Sequence, residues 1–196
     1  MGMGPSAAGI TGARKSGRQQ TNRVTRSIVT GKAIRIISGG QTGVDRACLA
    51  WAIRRGFEYG GWCPKGRQAE DGEIPGRYKL RPTPLARYAQ RTAWNVRDSD
   101  ATVIFSQSSK LSGGSLKTME ACREFAKPLL HLAAETFTVA ESATRLGKFL
   151  RRHHVRVLNV AGPRKSQEPG AGRFARSILD ATLGFTSDAG KSRGGL

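Results

Sequence analysis

Acidic residues are missing from the first 44 positions of this chain, and only 14 occur among its 196 residues. Against them stand 33 lysines and arginines, for a formal charge of +19. Cysteine is scarce too: Cys48, Cys63 and Cys122 form no CxxC pair. That odd, sparse count excludes a disulfide framework or a CxxC-type zinc site and fits a reducing compartment, so a cytoplasmic protein is expected. No apolar run is long enough to span a bilayer, so no membrane partner is expected. The N-terminus also lacks the apolar stretch of a secretory signal. The histidines, His131, His153 and His154, have no partner at metal-ligand spacing and read as structural; no metal site is expected.

What is present is charge of one sign and an apolar fraction of 38%, enough for a core. Residues 1–32 hold six basic residues and few large apolar ones. They read as a disordered basic tail, a composition shared with organellar transit peptides but without a clear amphipathic face. Residues 185–196 read as a flexible Gly/Ser tail. Between them, residues 33–184 carry 25 basic and 13 acidic side chains, so the globular part is itself strongly cationic. Such charge attracts polyanions, and nucleic acid is a candidate partner through the tail.

The pattern of this middle part alternates strand and helix. Strands are expected at 33–38, 57–62, 101–106, 128–132 and 155–160, and helices at 44–55, 84–98, 115–126, 139–153 and 171–183. Residues 63–83 read as a long polar loop. Alternation of this kind defines an α/β fold, a Rossmann-like three-layer sandwich with a mostly parallel central sheet in a single domain.

Three β-runs end in glycine turns: IRIISGGQTGVD at 34–45, ATVIFS leading to LSGGSLKTME at 101–120, and VRVLNV leading to AGPR at 155–164. Glycines let backbone N–H groups reach an anion, and the following helix N-terminus adds partial positive charge. Ligands in such folds bind at the carboxyl ends of the strands, where all three turns fall. The first turn offers Gly39, Gly40, Gln41, Thr42, Gly43 and Asp45; no Lys-Ser/Thr follows, so it is not a Walker A loop. Its bland alternative is a tight turn with Asp45 starting the helix. The second offers Gly113, Gly114, Ser115 and Thr118, with Ser115 an expected N-cap. Gly162 and Arg164 end the last strand. Lys65 and Arg67 on the long loop can clamp phosphate, with Glu70 and Asp71 available to pair with them or bind a metal. Cys63 beside Lys65 reads as an inert thiol. Arg91 and Asn95, four apart, share a helix face that meets either ligand or solvent.

The ordered set SGGQTGVDRA, GGWCPKGRQAEDG, YAQRTAWNVRDSDATVIF, LSGGSLKTMEA and VLNVAGPR resembles the circularly permuted YpsA-type proteins of the SLOG superfamily, often labelled molybdenum carriers. The likeness runs from Ile34 to Leu183. It implies a Rossmann-like fold and a pocket for a phosphorylated, nucleotide-like ligand, with molybdopterin or molybdenum cofactor as one candidate, a nucleotide as another, and a homo-oligomer as the expected assembly. LOG-type phosphoribohydrolases of the same superfamily carry Gly-Gly, then Gly-Thr, then Glu. Gly113, Gly114 and Glu120 keep that spacing, while Leu116 and Lys117 replace the Gly-Thr pair. This resemblance offers Glu120 as a catalytic carboxylate of N-glycosidic hydrolysis. DNA-processing relatives keep nucleic-acid binding as a further alternative.

Overall fold

The computed structural model describes Met1 and residues 34–184, so the expectations for both tails lie outside the described residues. Five parallel strands make the central sheet: β1 (Arg35–Ile37), β2 (Tyr59–Gly60), β7 (Ala101–Ser106), β8 (Leu129–Ala133) and β9 (Val157–Ala161). Four short strands lie outside it. β3 (Trp62–Cys63) pairs with β6 (Arg81–Pro82), and β4 (Gln68–Ala69) forms a hairpin with β5 (Gly72–Glu73). The helices are α1 (Val44–Arg55), α2 (Tyr88–Arg97), α3 (Gly113–Glu124), α4 (Val139–Arg152) and α5 (Ala171–Leu183).

β7 is buried at all six positions, as a central strand covered on both faces must be. The main core joins Val44, Cys48, Trp51 and Ala52 of α1 to Ala175, Ile178 and Leu179 of α5 over Ile36, Phe105 and Leu158 of the sheet. Each fully buried side chain of this size contributes about 1.5–3 kcal/mol by leaving water. α2 and α3 pack together, with Val96, Ala121 and Cys122 forming a separate small cluster. Helix ends follow local chemistry. Gly56 takes a left-handed conformation that closes α1, donating its N–H toward Ala52 and Ile53. Thr138 and Glu141 form a reciprocal capping box on α4.

The sheet order is β2-β1-β9-β7-β8. Taken in cyclic order from β7, the strands stand 2-1-3-4-5, the order of flavodoxin-type doubly wound folds. From β7 the chain passes through α3 to β8 on one side, then through α4 back to β9 on the other. The topological switch point therefore falls between β7 and β9, at their carboxyl ends.

An expected strand and the expected loop are remade on folding. The strand expected over 57–62 splits at Gly61, whose φ of +124° turns the chain so that β2 joins the main sheet and β3 leaves it. A Cβ there would lie 2.4 Å from the Ser38 carbonyl oxygen, so only glycine permits the crossing. The long loop is also not structureless. Its organiser is Arg67, which donates from Nε to the Ile74 carbonyl, from Nη1 to Leu80, and from Nη2 to Pro75 and Tyr78. Beneath it Ile74, Tyr78 and Leu80 pack on Leu49 and Cys63. Charged hydrogen bonds contribute about 1.5–3 kcal/mol each. Arg67→Ala is therefore expected to open residues 65–83 locally. Limited proteolysis checks this: cleavage should concentrate in that segment, and an unchanged digestion pattern would refute the role given to Arg67.

Candidate functional site

The first glycine turn leaves β1 between Gly40 and Gly43, at φ of +75° and +76°, and enters α1. Its glycines admit protein rather than an open ligand space. A Cβ on Gly39 would sit 1.3 Å from Arg91 Nη1, and one on Gly40 would sit 2.4 Å from Leu80 Cδ1. At Gly43 it would meet the Pro163 carbonyl oxygen at 2.4 Å, and at Gly162 the Phe105 carbonyl oxygen at the same distance. Thr42 and Glu70 are likewise committed to holding loops together. The Thr42 hydroxyl donates to Glu70 and accepts from the Lys165 amide at 3.2 Å, while Glu70 also takes the Ser166 hydroxyl. Those hydrogen bonds hold the Glu70 carboxyl below its ordinary value. Asp71 pairs with Arg46 rather than with Lys65 or Arg67.

Under the first turn lies a buried ion pair. Arg91 Nη1 donates to Asp45 Oδ2 at 2.9 Å, with side-chain exposures of 14% and 5%. Burial pushes the Asp45 carboxyl above its ordinary value, and Arg91 and the Gln41 amide pull against that. Gly39, Asp45, Arg91, Asn95 and Thr118 line one small cavity of about 10 Å³ together with Asn159 and Ala161. Asn95 is spent structurally: its amide donates to the Trp62 carbonyl and accepts from the Trp62 N–H, both at 2.9 Å. Arg164 stacks over Tyr88 at 5.0 Å and Arg91 over the same ring at 5.9 Å.

The larger cavity, about 110 Å³, opens at the switch point. Ser106 ends β7 on one wall and Pro163 follows β9 on another; Lys110, Ser112 and Ser115 come from the approach to α3 and its first turn, and Glu168 from the approach to α5. The glycines that open α3 do not line this cavity and are exposed to solvent. A Cβ on Gly114 would meet nothing within 4 Å, and one on Gly113 only the Gln167 amide at 3.5 Å. The N–H groups of both precede the first helical acceptor, and none has a backbone acceptor among the described residues. α3 starts two residues earlier than expected, with Ser112 as N-cap. Ser115 is thereby moved from the cap to the third helical position, where it is 4% exposed and faces the cavity.

Among the described residues four buried side-chain polar atoms lack a partner: Gln41 Nε2, Arg91 Nε, Ser115 Oγ and Ser142 Oγ. Three of these belong to the turns and helix face at the strand ends. Native proteins rarely leave such atoms unpaired without a reason.

Several expected residues fall elsewhere. Glu120 lies on the exposed side of α3, paired with Lys117 at 2.9 Å. At about 100° per residue it stands roughly opposite Thr118, away from the face that Ser115 and Thr118 present to the cavities. Arg67 is consumed by carbonyls, so it is not a free phosphate clamp. Lys65 is exposed and lines neither cavity. Cys63 is fully buried, and burial pushes its thiol up against the pull of Arg67 and Arg91. Ser106, Lys110, Ser112, Gln167 and Glu168 were not singled out from sequence. The SGGS motif pointed at their neighbourhood, but only the sheet order brings residues 106, 112 and 168 to one cavity.

Fold and site together define a doubly wound α/β protein with a polar cavity at its switch point. The chain belongs to the circularly permuted YpsA family of SLOG proteins, whose model matches residues 36–183. It is also similar to a solved structure from Syntrophus aciditrophicus SB that carries the inferred name molybdenum carrier protein. That likeness has 42% identity and a TM-score of 0.76, and covers 78% of this chain and 96% of the other. No curated protein matches it. Among the described residues no helix is long and apolar enough to cross a membrane.

Proposed function

We propose that the domain of residues 33–184 binds a phosphorylated, nucleotide-like ligand whose phosphate sits at the first turn of α3. The observation that carries this reading is Ser115: a buried, unpartnered hydroxyl on the wall of the switch-point cavity, in the same first turn of α3 as Gly113 and Gly114, whose N–H groups have no backbone acceptor among the described residues. A helix N-terminus favours an anion through its dipole and its unpaired donors. Lys110 adds a cation at the rim. Arg91, with its unpartnered Nε, lines the separate, smaller cavity at the strand ends and offers a further cation there. The name of the similar Syntrophus protein supports a molybdenum-related ligand, such as molybdopterin cofactor, within this class. Three buried free cysteines support a reducing, cytoplasmic setting.

The reading as carrier or binder is favoured over LOG-type hydrolysis because Glu120 pairs with Lys117 on the outer side of α3. The test is Gly114→Asp. A carboxylate near a helix start is favourable to the helix, so the fold should keep or gain thermal stability. The same charge repels a bound phosphate. Titration calorimetry with inorganic phosphate, AMP and GMP should show at least one of them binding wild type and losing about tenfold or more in the variant, a change of about 1.4 kcal/mol. Equal affinity for both proteins would remove the phosphate from this turn.

A further inference from the structure

Ser106 and His131 stand on neighbouring strands, β7 and β8, and meet beside the switch-point cavity, which Ser106 lines and His131 does not. Ser106 Oγ lies 2.7 Å from His131 Nε2 and 2.6 Å from the Ser108 carbonyl oxygen. The hydroxyl donates to the Ser108 carbonyl; in the tautomer that carries its proton on Nδ1, His131 Nε2 is a second acceptor, and rotation about the C–O bond then moves the hydrogen from the carbonyl to the imidazole. Ser106 also lines the cavity that holds Ser115, Lys110 and the start of α3. A hydroxyl bonded to an imidazole, beside a pocket with anion donors, is the arrangement of an activated nucleophile.

We propose that this pocket hydrolyses phosphomonoesters, with Ser106 as nucleophile and His131 as its base. The proposal rests on the phosphate site described above, since the phosphoryl group held at α3 is the group Ser106 attacks. Ser106 Oγ bonds to phosphorus as its proton passes to His131 Nε2. The bond from phosphorus to the ester oxygen breaks, and the leaving alkoxide takes that proton. Water then attacks the phosphoserine and gives its proton to Nε2. Inorganic phosphate leaves, and Ser106 recovers the proton. The sum is ester plus water giving alcohol plus phosphate, with no redox partner. The first-turn N–H groups of α3, the Ser115 hydroxyl and Lys110 stabilise charge on the phosphoryl oxygens.

The surroundings of His131 suit the part. Its burial holds the imidazole below its ordinary value, so it is neutral and proton-accepting near pH 7. Glu168, before α5, and Glu135, after β8, act on it in the opposite direction and favour the imidazolium formed during attack. Glu168 itself accepts a hydrogen bond from the Gln107 backbone N–H.

The experiment uses the full chain with p-nitrophenyl phosphate as substrate and inorganic phosphate as a separate thermal-shift probe. Wild type should release p-nitrophenol, and acid-quenched protein should carry a phosphoryl group mapped to Ser106. Ser106→Ala should lose both while keeping stabilisation by phosphate. His131→Gln, a second variant in case Ser106→Ala folds poorly, should slow turnover by about 100-fold and remove its fall at acid pH. Phosphate stabilisation without turnover or adduct would overturn the chemistry and leave the binding reading intact. Turnover surviving Ser106→Ala would overturn the proposal outright. Absence of both phosphate stabilisation and turnover would remove the binding reading and this one with it.

Discussion

Arg91→Ala is expected to cost the fold on the order of 3–5 kcal/mol, the usual penalty for breaking a buried ion pair from one side. Asp45 would be left buried with its strongest counter-charge gone, and the Gly39 backbone would face a void where the guanidinium lay. The loss should depend on pH. Burial sets the folded Asp45 carboxyl above its ordinary value despite Arg91, so the native state takes up a proton at a higher pH than the unfolded chain does. The stability tied to this group is therefore full below the ordinary carboxylate value, near pH 4, and falls as pH rises through the raised folded value. Removing Arg91 takes away the main opposing influence and raises that value further. Arg91→Ala should thus lose more stability than wild type as pH rises from the ordinary carboxylate value toward pH 8. Adding Asp45→Asn removes the stranded charge and should restore part of the loss at pH 8. Urea denaturation of the two variants and wild type at both pH values is the measurement. A single variant within about 1 kcal/mol of wild type, or strictly additive losses in the double variant, would show that the pair is not coupled in this way.

This ion pair also marks the limit of what the sequence discloses. Helix α1, strand β7 and helix α5 are legible to the residue. Gly43 and Gly56 bracket the first, an unbroken β-branched and aromatic run forms the second, and apolar periodicity gives the third. Local chemistry suffices there, because each boundary is set by residues adjacent in the chain. α2 is less legible. It begins at Tyr88 rather than Pro84, because Thr83 and Leu85 are tied up by the Cys63 carbonyl and the Gln90 amide before the helix can form. The strand ends where the candidate cavity lies are legible from β-runs that stop at glycines. The role of each glycine was not. Whether a turn faces solvent or another segment depends on what the rest of the chain lays over it. Nothing within residues 39–43 announces that Arg91 and Leu80, some 40–50 residues later, fill the space beside them. The Ser106–His131 contact is hidden for the same reason, since only the pairing of β7 with β8 brings those positions together.

The two glycine turns accordingly make opposite predictions. Gly43 sits at φ +76°, and a Cβ there would lie 2.4 Å from the Pro163 oxygen, 2.7 Å from the Lys165 nitrogen and 2.8 Å from the Arg164 carbonyl carbon. All three are backbone atoms, so no side chain can swing aside. Val44 also donates to the same Pro163 oxygen at 3.4 Å, so displacing that loop weakens the start of α1. Left-handed backbone costs an alanine about 1–2 kcal/mol, and overpacking typically costs about 1–3 kcal/mol more. For a domain of this size each kcal/mol shifts Tm by about 2–4 °C, so Gly43→Ala should melt roughly 5–15 °C early. Gly114→Ala meets nothing within 4 Å and sits in a helix, where alanine is favoured by about 0.5–1 kcal/mol. Its Tm should hold or rise. Paired thermal melts, followed by AMP and GMP titration of whichever variants stay folded, read both outcomes. A Gly43→Ala protein that melts like wild type but no longer binds a nucleotide bound by wild type would move the ligand to the first turn. A Gly114→Ala protein that melts early would show that α3 begins in a different geometry from the one that makes its first N–H groups available.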